Sequence, residues 1–236
     1  MPRLLLLSNS MNPGDSYLNH SRKWISHFFG SGTKTIAFIP WAGVTLSYKD
    51  YCYKVRTALE PMGYRIVSVH EVPGPAALIH DSDAIAIGGG NTFKLLKMLQ
   101  DHKLTEVIRN EVLVGKPFLG WSAGSNVAAP SIRTTNDMPI VQPQSFEALN
   151  LIPFQINPHY LDLQPELHMG ETREQRLLEF VSENPAVYVT GLREGSALSI
   201  DGDKIELLGQ NPVRIFKKGV NPHEVNPGES LSFLFG

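Results

Sequence analysis

Short continuous apolar runs alternate along the chain with segments whose apolar residues recur every three or four positions, the signature of strands interleaved with amphipathic helices. Arg3 to Ser8 predicts a buried strand, stopped by Asn9, Pro13 and Gly14. From Ser16 to Phe29 the apolar residues Tyr17, Trp24, Ile25, Phe28 and Phe29 fall at helical spacing, and Gly30 closes the segment. Thr35 to Pro40 is a second strand, Lys49 to Met62 a second helix, and Tyr64 to Val69 a third strand. Pro75 to His80 predicts a short helix and Asp83 to Ile87 a fourth strand, which runs into Gly88-Gly89-Gly90-Asn91-Thr92-Phe93. Helices over Lys94 to Leu99 and Leu104 to Val114 precede the apolar run that ends at Gly120-Trp121-Ser122-Ala123-Gly124.

Strands alternating with helices at this spacing imply βαβ crossovers and a mainly parallel sheet flanked by helices, an α/β fold. After Pro130 a polar loop through Arg133 and Asp137 precedes a strand at Ile152 to Ile156, a helix at Glu171 to Val181 and a strand at Val187 to Thr190. From Ala197 onward, short alternating runs separated by Asp201-Gly202 and Asn211-Pro212 predict antiparallel C-terminal hairpins. No linker divides the 236 residues, so residues 1–236 are expected to form one α/β domain.

Charge adds little direction. The formal net charge is −2, with 21 basic and 23 acidic residues in no long run of one sign, so nothing points to nucleic acid or an anionic membrane surface. Arg3 is followed only by Leu4 to Leu7 before polar residues, too short for a signal-peptide apolar region, and no later segment is long enough to span a bilayer. A cytoplasmic protein is the expectation. Cys52 is the only cysteine, which excludes intramolecular disulfides and argues for a packing role.

Chemistry enters at Ser122. The GxSxG pattern sits between an apolar run and a small-residue segment able to begin a helix, the strand-turn-helix setting in which a serine hydroxyl stands above the end of a sheet. The N–H of Ala123 would then face charge developing on an attacked carbonyl oxygen. The triple glycine admits three readings. A dinucleotide fingerprint would need a glycine where Phe93 stands; a structural turn does not call for three glycines; the third, favoured here, makes the N–H of Gly90 the other half of an oxyanion hole.

A serine needs a base within reach, and the chain offers His20, His27, His70, His80, His102, His159, His168 and His223. His159 follows a predicted strand on the same side of the sheet as Ser122, which favours it over His168, several residues into a loop. For the carboxylate that orients the imidazole, Asp137 and Glu194 both qualify. Glu194 follows a later strand and is preferred, with Asp137 left to bind substrate, but the opposite assignment stays open.

These segments, with Ile132-Arg133-Thr134-Thr135-Asn136-Asp137-Met138-Pro139, Asn157-Pro158-His159 and Gly170-Glu171-Thr172-Arg173-Glu174-Gln175-Arg176, occur in an order that closely resembles peptidase family S51, the serine peptidases that include α-aspartyl dipeptidases and are related to cyanophycinases. The resemblance runs from the first strand to about Gly195. It implies a fold like that of class I glutamine amidotransferases, Ser122 as nucleophile, His159 as base, Asp137 or Glu194 as third member, and small dipeptides with an N-terminal aspartate as substrates. An anionic aspartyl side chain demands a cation, for which Arg173 is the first choice and Arg133 the second. Asp137 is the acceptor proposed for the substrate ammonium, and Asn91 and Thr92 would complete the pocket. Neither metal nor cofactor is expected, and a homodimer is compatible with the sequence. The competing readings are a cyanophycinase-like β-aspartyl peptidase, an esterase with the same elbow, and a binding module without turnover. An amidotransferase would need cysteine at Ser122 and usually a carboxylate where Leu161 stands.

Overall fold

The computed structural model describes residues 2–162 and 170–236. Its strands are β1 (Arg3–Leu7), β2 (Thr35–Ile39), β3 (Arg65–Ser68), β4 (Ala84–Ile87), β5 (Phe118–Trp121), β6 (Gln155–Pro158), β7 (Val189–Leu192), β8 (Ala197–Asp201), β9 (Lys204–Leu208), β10 (Val213–Lys217) and β11 (Val220–Val225). The α-helices are α1 (Arg22–Phe29), α2 (Tyr48–Leu59), α3 (Pro75–Asp81), α4 (Thr92–Asp101), α5 (Thr105–Leu113), α6 (Ala123–Asn126) and α7 (Arg173–Glu183).

The α/β alternation read from the sequence builds a seven-stranded sheet in the order β3-β2-β4-β5-β1-β8-β9. Its first five strands are parallel, while β8 and β9 add antiparallel pairs at one edge. The leucines of β1 alternate between faces as strand geometry requires: Leu4 and Leu6 join one core cluster, Leu5 and Leu7 the other. The inner parallel strands β1, β2, β4 and β5 are buried almost throughout, without alternating polarity, because helices cover both faces of the sheet there.

The last parallel strands do not join this sheet. β6 and β7 pair with each other in parallel, and β7 continues through β10 to β11 in antiparallel fashion, giving a second sheet in the order β11-β10-β7-β6. Ile156, Leu192, Val213 and Ile215 of this sheet lie in the same buried cluster as Leu4, Ile85 and Phe118, so one core runs across both sheets. Among the described residues no helix is long and apolar enough to cross a membrane.

Several boundaries differ from the sequence reading. α1 begins at Arg22 rather than Ser16, because the chain turns through Leu18 at φ 57, a left-handed conformation no helix accommodates. β6 begins at Gln155 rather than Ile152, since Pro153 has no N–H for a ladder; Ile152 and Phe154 are buried all the same. β7 spans Val189–Leu192, a shift of two residues toward Glu194. α7 begins at Arg173 because Thr172 and Gln175 form a capping box there. His168 lies outside the described residues.

Candidate active site

Ser122 stands between β5 and α6 with φ 53 and ψ −115, a backbone conformation that a non-glycine residue holds only under tight constraint. The constraint is packing on both sides. A Cβ at Gly120 would come within 2.5 Å of the Gly124 carbonyl oxygen, and one at Gly124 would collide with the carbonyl of Ile87, so the turn closes only with glycine at both positions. The Ser122 N–H and the Ser125 hydroxyl both donate to the carbonyl oxygen of Leu7, at 3.1 and 2.7 Å, and pin the turn to the end of β1.

His159 follows β6 directly and also has a positive φ, 52. Its N–H donates to Ser8 Oγ at 2.9 Å, and that hydroxyl donates to the Leu192 carbonyl at 2.8 Å. One serine at the end of β1 therefore ties the ends of β6 and β7, in the second sheet, to the first. His159 Nε2 lies 3.0 Å from Ser122 Oγ and Nδ1 lies 2.6 Å from Glu194 Oε1. A carboxylate only accepts, so Nδ1 carries the hydrogen in the neutral ring and Nε2 is left as the bare acceptor facing the serine.

Glu194 is held by its neighbours. Asn211 Nδ2 donates to its carbonyl at 2.9 Å, and the next N–H, of Gly195, donates to Asn9 Oδ1 at 2.8 Å. Before it, the Arg193 guanidinium donates to both oxygens of Asp162, to both oxygens of Glu224 and to the Pro212 carbonyl. These contacts push the Arg193 pKa up, with the bonds to Glu224 and then Asp162 as the chief causes, and hold both carboxyls below their usual range.

Asp137 does not reach the histidine. Its Oδ2 accepts from the Thr92 N–H at 2.7 Å, Thr92 Oγ1 at 2.6 Å and Thr135 Oγ1 at 3.2 Å, which anchors it at the N-terminus of α4. Asn91 caps α4 by accepting from the Lys94 N–H and donates through Nδ2 to the Met138 carbonyl, so it braces the loop that carries Asp137. Ser122, His159, Asp137, Thr92, Asn126 and Arg173 line one cavity of about 180 Å³. A second cavity shares Ser122 and His159 and is also lined by Gly89 and Gly90.

Arg173, the first residue of α7, donates through Nη1 to the His159 carbonyl at 3.2 Å. Its neighbours' charges are engaged elsewhere: Glu174 lies 3.1 Å from Arg214, and Glu171 pairs with Arg176. Among the described residues no carboxylate pairs with Arg173, and burial, followed by the charge of Arg176, lowers its pKa. Arg133 is not brought to the cavity. Ile132 and Thr134 on either side of it are buried, so its side chain emerges on the opposite face, 3.5 Å from Glu147.

Gly90 has φ +134, and a Cβ there would meet the Ala42 carbonyl. The Gly89 carbonyl accepts from Tyr51 Oη at 2.9 Å. Ala123 opens α6, so its N–H has no acceptor within its own helix. Cys52 is buried on α2, as a packing residue should be. With His70 and Glu71 it places three ligand-type atoms within 4.8 Å of one another. Glu71 is already engaged by Arg56 at 2.5 Å, and that guanidinium opposes a cation there.

The sequence reading gives no site role to Ser8, Asn9, Tyr51 or Thr135. A signal existed for the first two: a Ser-Asn pair directly at the end of a buried strand stands where α/β folds gather working groups. Tyr51 gave none, since its ring fits the apolar stripe of α2.

The family model for peptidase family S51 matches residues 4–208 of this chain. A protein named peptidase E from Nostoc sp. is 50% identical over 232 residues, covering 98% of this chain and 96% of that one. A peptidase E from Pasteurella multocida is 48% identical over 221 residues, covering 93% of this chain and 94% of its own. A solved peptidase from an acI-B1 Actinobacterium superposes with a TM-score of 0.74 over 99% of this chain and 97% of that chain; at 21% identity it speaks to the fold alone.

Proposed function

The chain belongs to peptidase family S51 and is a peptide-bond hydrolase; from that premise we propose that it is a serine-type dipeptidase acting on dipeptides with an N-terminal, α-linked aspartate. The observation that carries the reading is Arg173, a half-buried guanidinium without a carboxylate partner among the described residues, in the cavity that holds Ser122 and His159. A buried cation without a partner is costly unless a ligand supplies the anion, and the planar guanidinium matches a carboxylate with two parallel hydrogen bonds. Across the cavity Asp137, whose Oδ2 takes all three hydrogen bonds given above, presents its other oxygen to the substrate ammonium.

With the aspartyl residue held at both charges, Ser122 Oγ attacks the scissile carbonyl while His159 Nε2 takes its proton, and the imidazolium is stabilised by Glu194 at Nδ1. The N–H groups of Ala123 and Gly90 donate to the oxyanion, a contribution of about 3 to 4 kcal/mol per donor in comparable enzymes. His159 then returns the proton to the leaving amine, and water releases the acyl group by the same route in reverse.

The test is a set of initial rates on Asp-Leu, β-linked Asp-Leu, Leu-Leu and an activated ester, for wild type and Ser122→Ala. The expected result is cleavage of Asp-Leu and not of Leu-Leu, lost by several orders of magnitude in the variant. Cleavage of the β-linked dipeptide in preference to Asp-Leu would move the reading to a cyanophycinase-like specificity, and cleavage of the ester alone to an esterase.

A further inference from the structure

The two cavities that meet at Ser122 and His159 differ in chemistry. The one holding Arg173 and Asp137 suits the charged aspartyl half of the substrate. The other, of about 280 Å³, carries Ser10, Tyr17, Val44, Thr45, Leu46 and Lys54 on its walls. Gly90 lines this second cavity and Ala123 the first, so the two N–H groups assigned to the oxyanion stand on either side of their boundary. A carbonyl held between them directs its acyl part into one cavity and its amine into the other.

The second cavity suits the other half of a dipeptide, an amino acid of a different kind. Val44 is 50% exposed and Leu46 40%, apolar surface at its rim that nothing in the chain covers among the described residues. Lys54 supplies the one permanent charge in the lining. Among the described residues it pairs with no carboxylate, and its ammonium rests 4.5 Å from the centre of the Tyr17 ring. That contact leaves the ammonium's hydrogen-bonding capacity free, since a ring face takes no more than one of three donors.

We propose that this cavity binds the leaving residue of the dipeptide, with Lys54 pairing its free α-carboxylate and Val44 and Leu46 covering an apolar side chain. The inference rests on the aspartyl-dipeptidase reading and adds a reason for stopping at dipeptides: in a longer substrate a neutral amide stands where Lys54 expects a carboxylate, and further residues must continue past it. The preferred substrates are therefore Asp-Leu and its apolar analogues with a free C-terminus.

The experiment compares kcat/KM for Asp-Leu, Asp-Leu amide and aspartyl anilide in wild type, Lys54→Met and Lys54→Arg. The quantity read is the ratio of Asp-Leu to its amide. Wild type favours the acid; Lys54→Met lowers that ratio about tenfold, mainly through KM, and Lys54→Arg restores most of it. A ratio unchanged in Lys54→Met, with the anilide still cleaved, overturns the subsite while leaving the aspartyl reading intact. Loss of all three activities in wild type overturns the aspartyl reading and this inference together.

Discussion

The Tyr51 hydroxyl donates to the Gly89 carbonyl at 2.9 Å while accepting from the indole N–H of Trp121 at 3.1 Å. A trans peptide points its C=O and N–H in opposite directions, and no peptide in the described chain is cis. Anchoring the Gly89 oxygen therefore also sets the direction of the Gly90 N–H. Burial pushes the Tyr51 pKa up to about 12, so the donor persists across the working pH range. The same side chain reads as an ordinary apolar residue on the buried face of α2.

Tyr51→Phe removes the anchor and nothing of the ring. It is expected to lower kcat on Asp-Leu about tenfold with little change in KM, because the affected N–H acts on the oxyanion rather than on bound substrate. Stability falls by about 1 to 2 kcal/mol as the Gly89 carbonyl and the Trp121 N–H lose their partner. Steady-state kinetics beside a urea titration separates the two effects, and a kcat within twofold of wild type would show that the Gly90 N–H is set by other contacts.

Glu194→Gln and Asp137→Asn should part in kind. Without the carboxylate at Nδ1 the imidazolium loses its stabilisation, and kcat is expected to drop by about 10² to 10⁴-fold. Asp137→Asn removes the charge facing the ammonium and is expected to act chiefly on KM, by about tenfold or more. An exchange of these patterns would assign the third catalytic role to Asp137.

Arg173→Ala is expected to lower kcat/KM on Asp-Leu by about 10² to 10³-fold, and Arg173→Lys to recover only part of it because an ammonium cannot make the paired contact. On an activated ester without an aspartyl group the loss should be far smaller. Equal losses on both substrates would mean that Arg173 supports His159 through its carbonyl contact and does not recognise the substrate.

The Arg193 cluster predicts an acid limb to stability. Hydrogen bonds from Arg193 are the chief cause holding Glu224 and Asp162 below their usual values of 4.5 and 3.8. Because the folded pKa values are depressed, this stabilisation is complete above those usual values and is lost as pH falls through them and below. Arg193→Gln should cost about 1 to 2 kcal/mol at neutral pH and flatten the decline between about pH 5 and 3. Denaturation midpoints followed from pH 7 to 3 in both proteins test this, and parallel curves would count against it.

What the sequence determined is local. A tight strand-to-helix turn leaves its mark in small residues at fixed spacing, so Ser122 and its two glycines were legible, as were the strand alternation and the histidine that follows Pro158. Partner choice was legible only as a ranking, Glu194 before Asp137 and Arg173 before Arg133, because it depends on which strand ends meet. The structure puts β6 and β7 in a second sheet, and Ser8, on the first, draws their ends to Ser122. That arrangement brings Glu194, just past the end of β7, to His159 and sends Asp137 to the N-terminus of α4. The same holds for the arginines. Among the described residues Arg173 is left without a carboxylate because Arg214 and Arg176 draw off the acids beside it, whereas Arg133 is turned outward by two buried neighbours. Competition for partners among distant residues is a property of the folded chain, and no spacing along the sequence encodes its outcome.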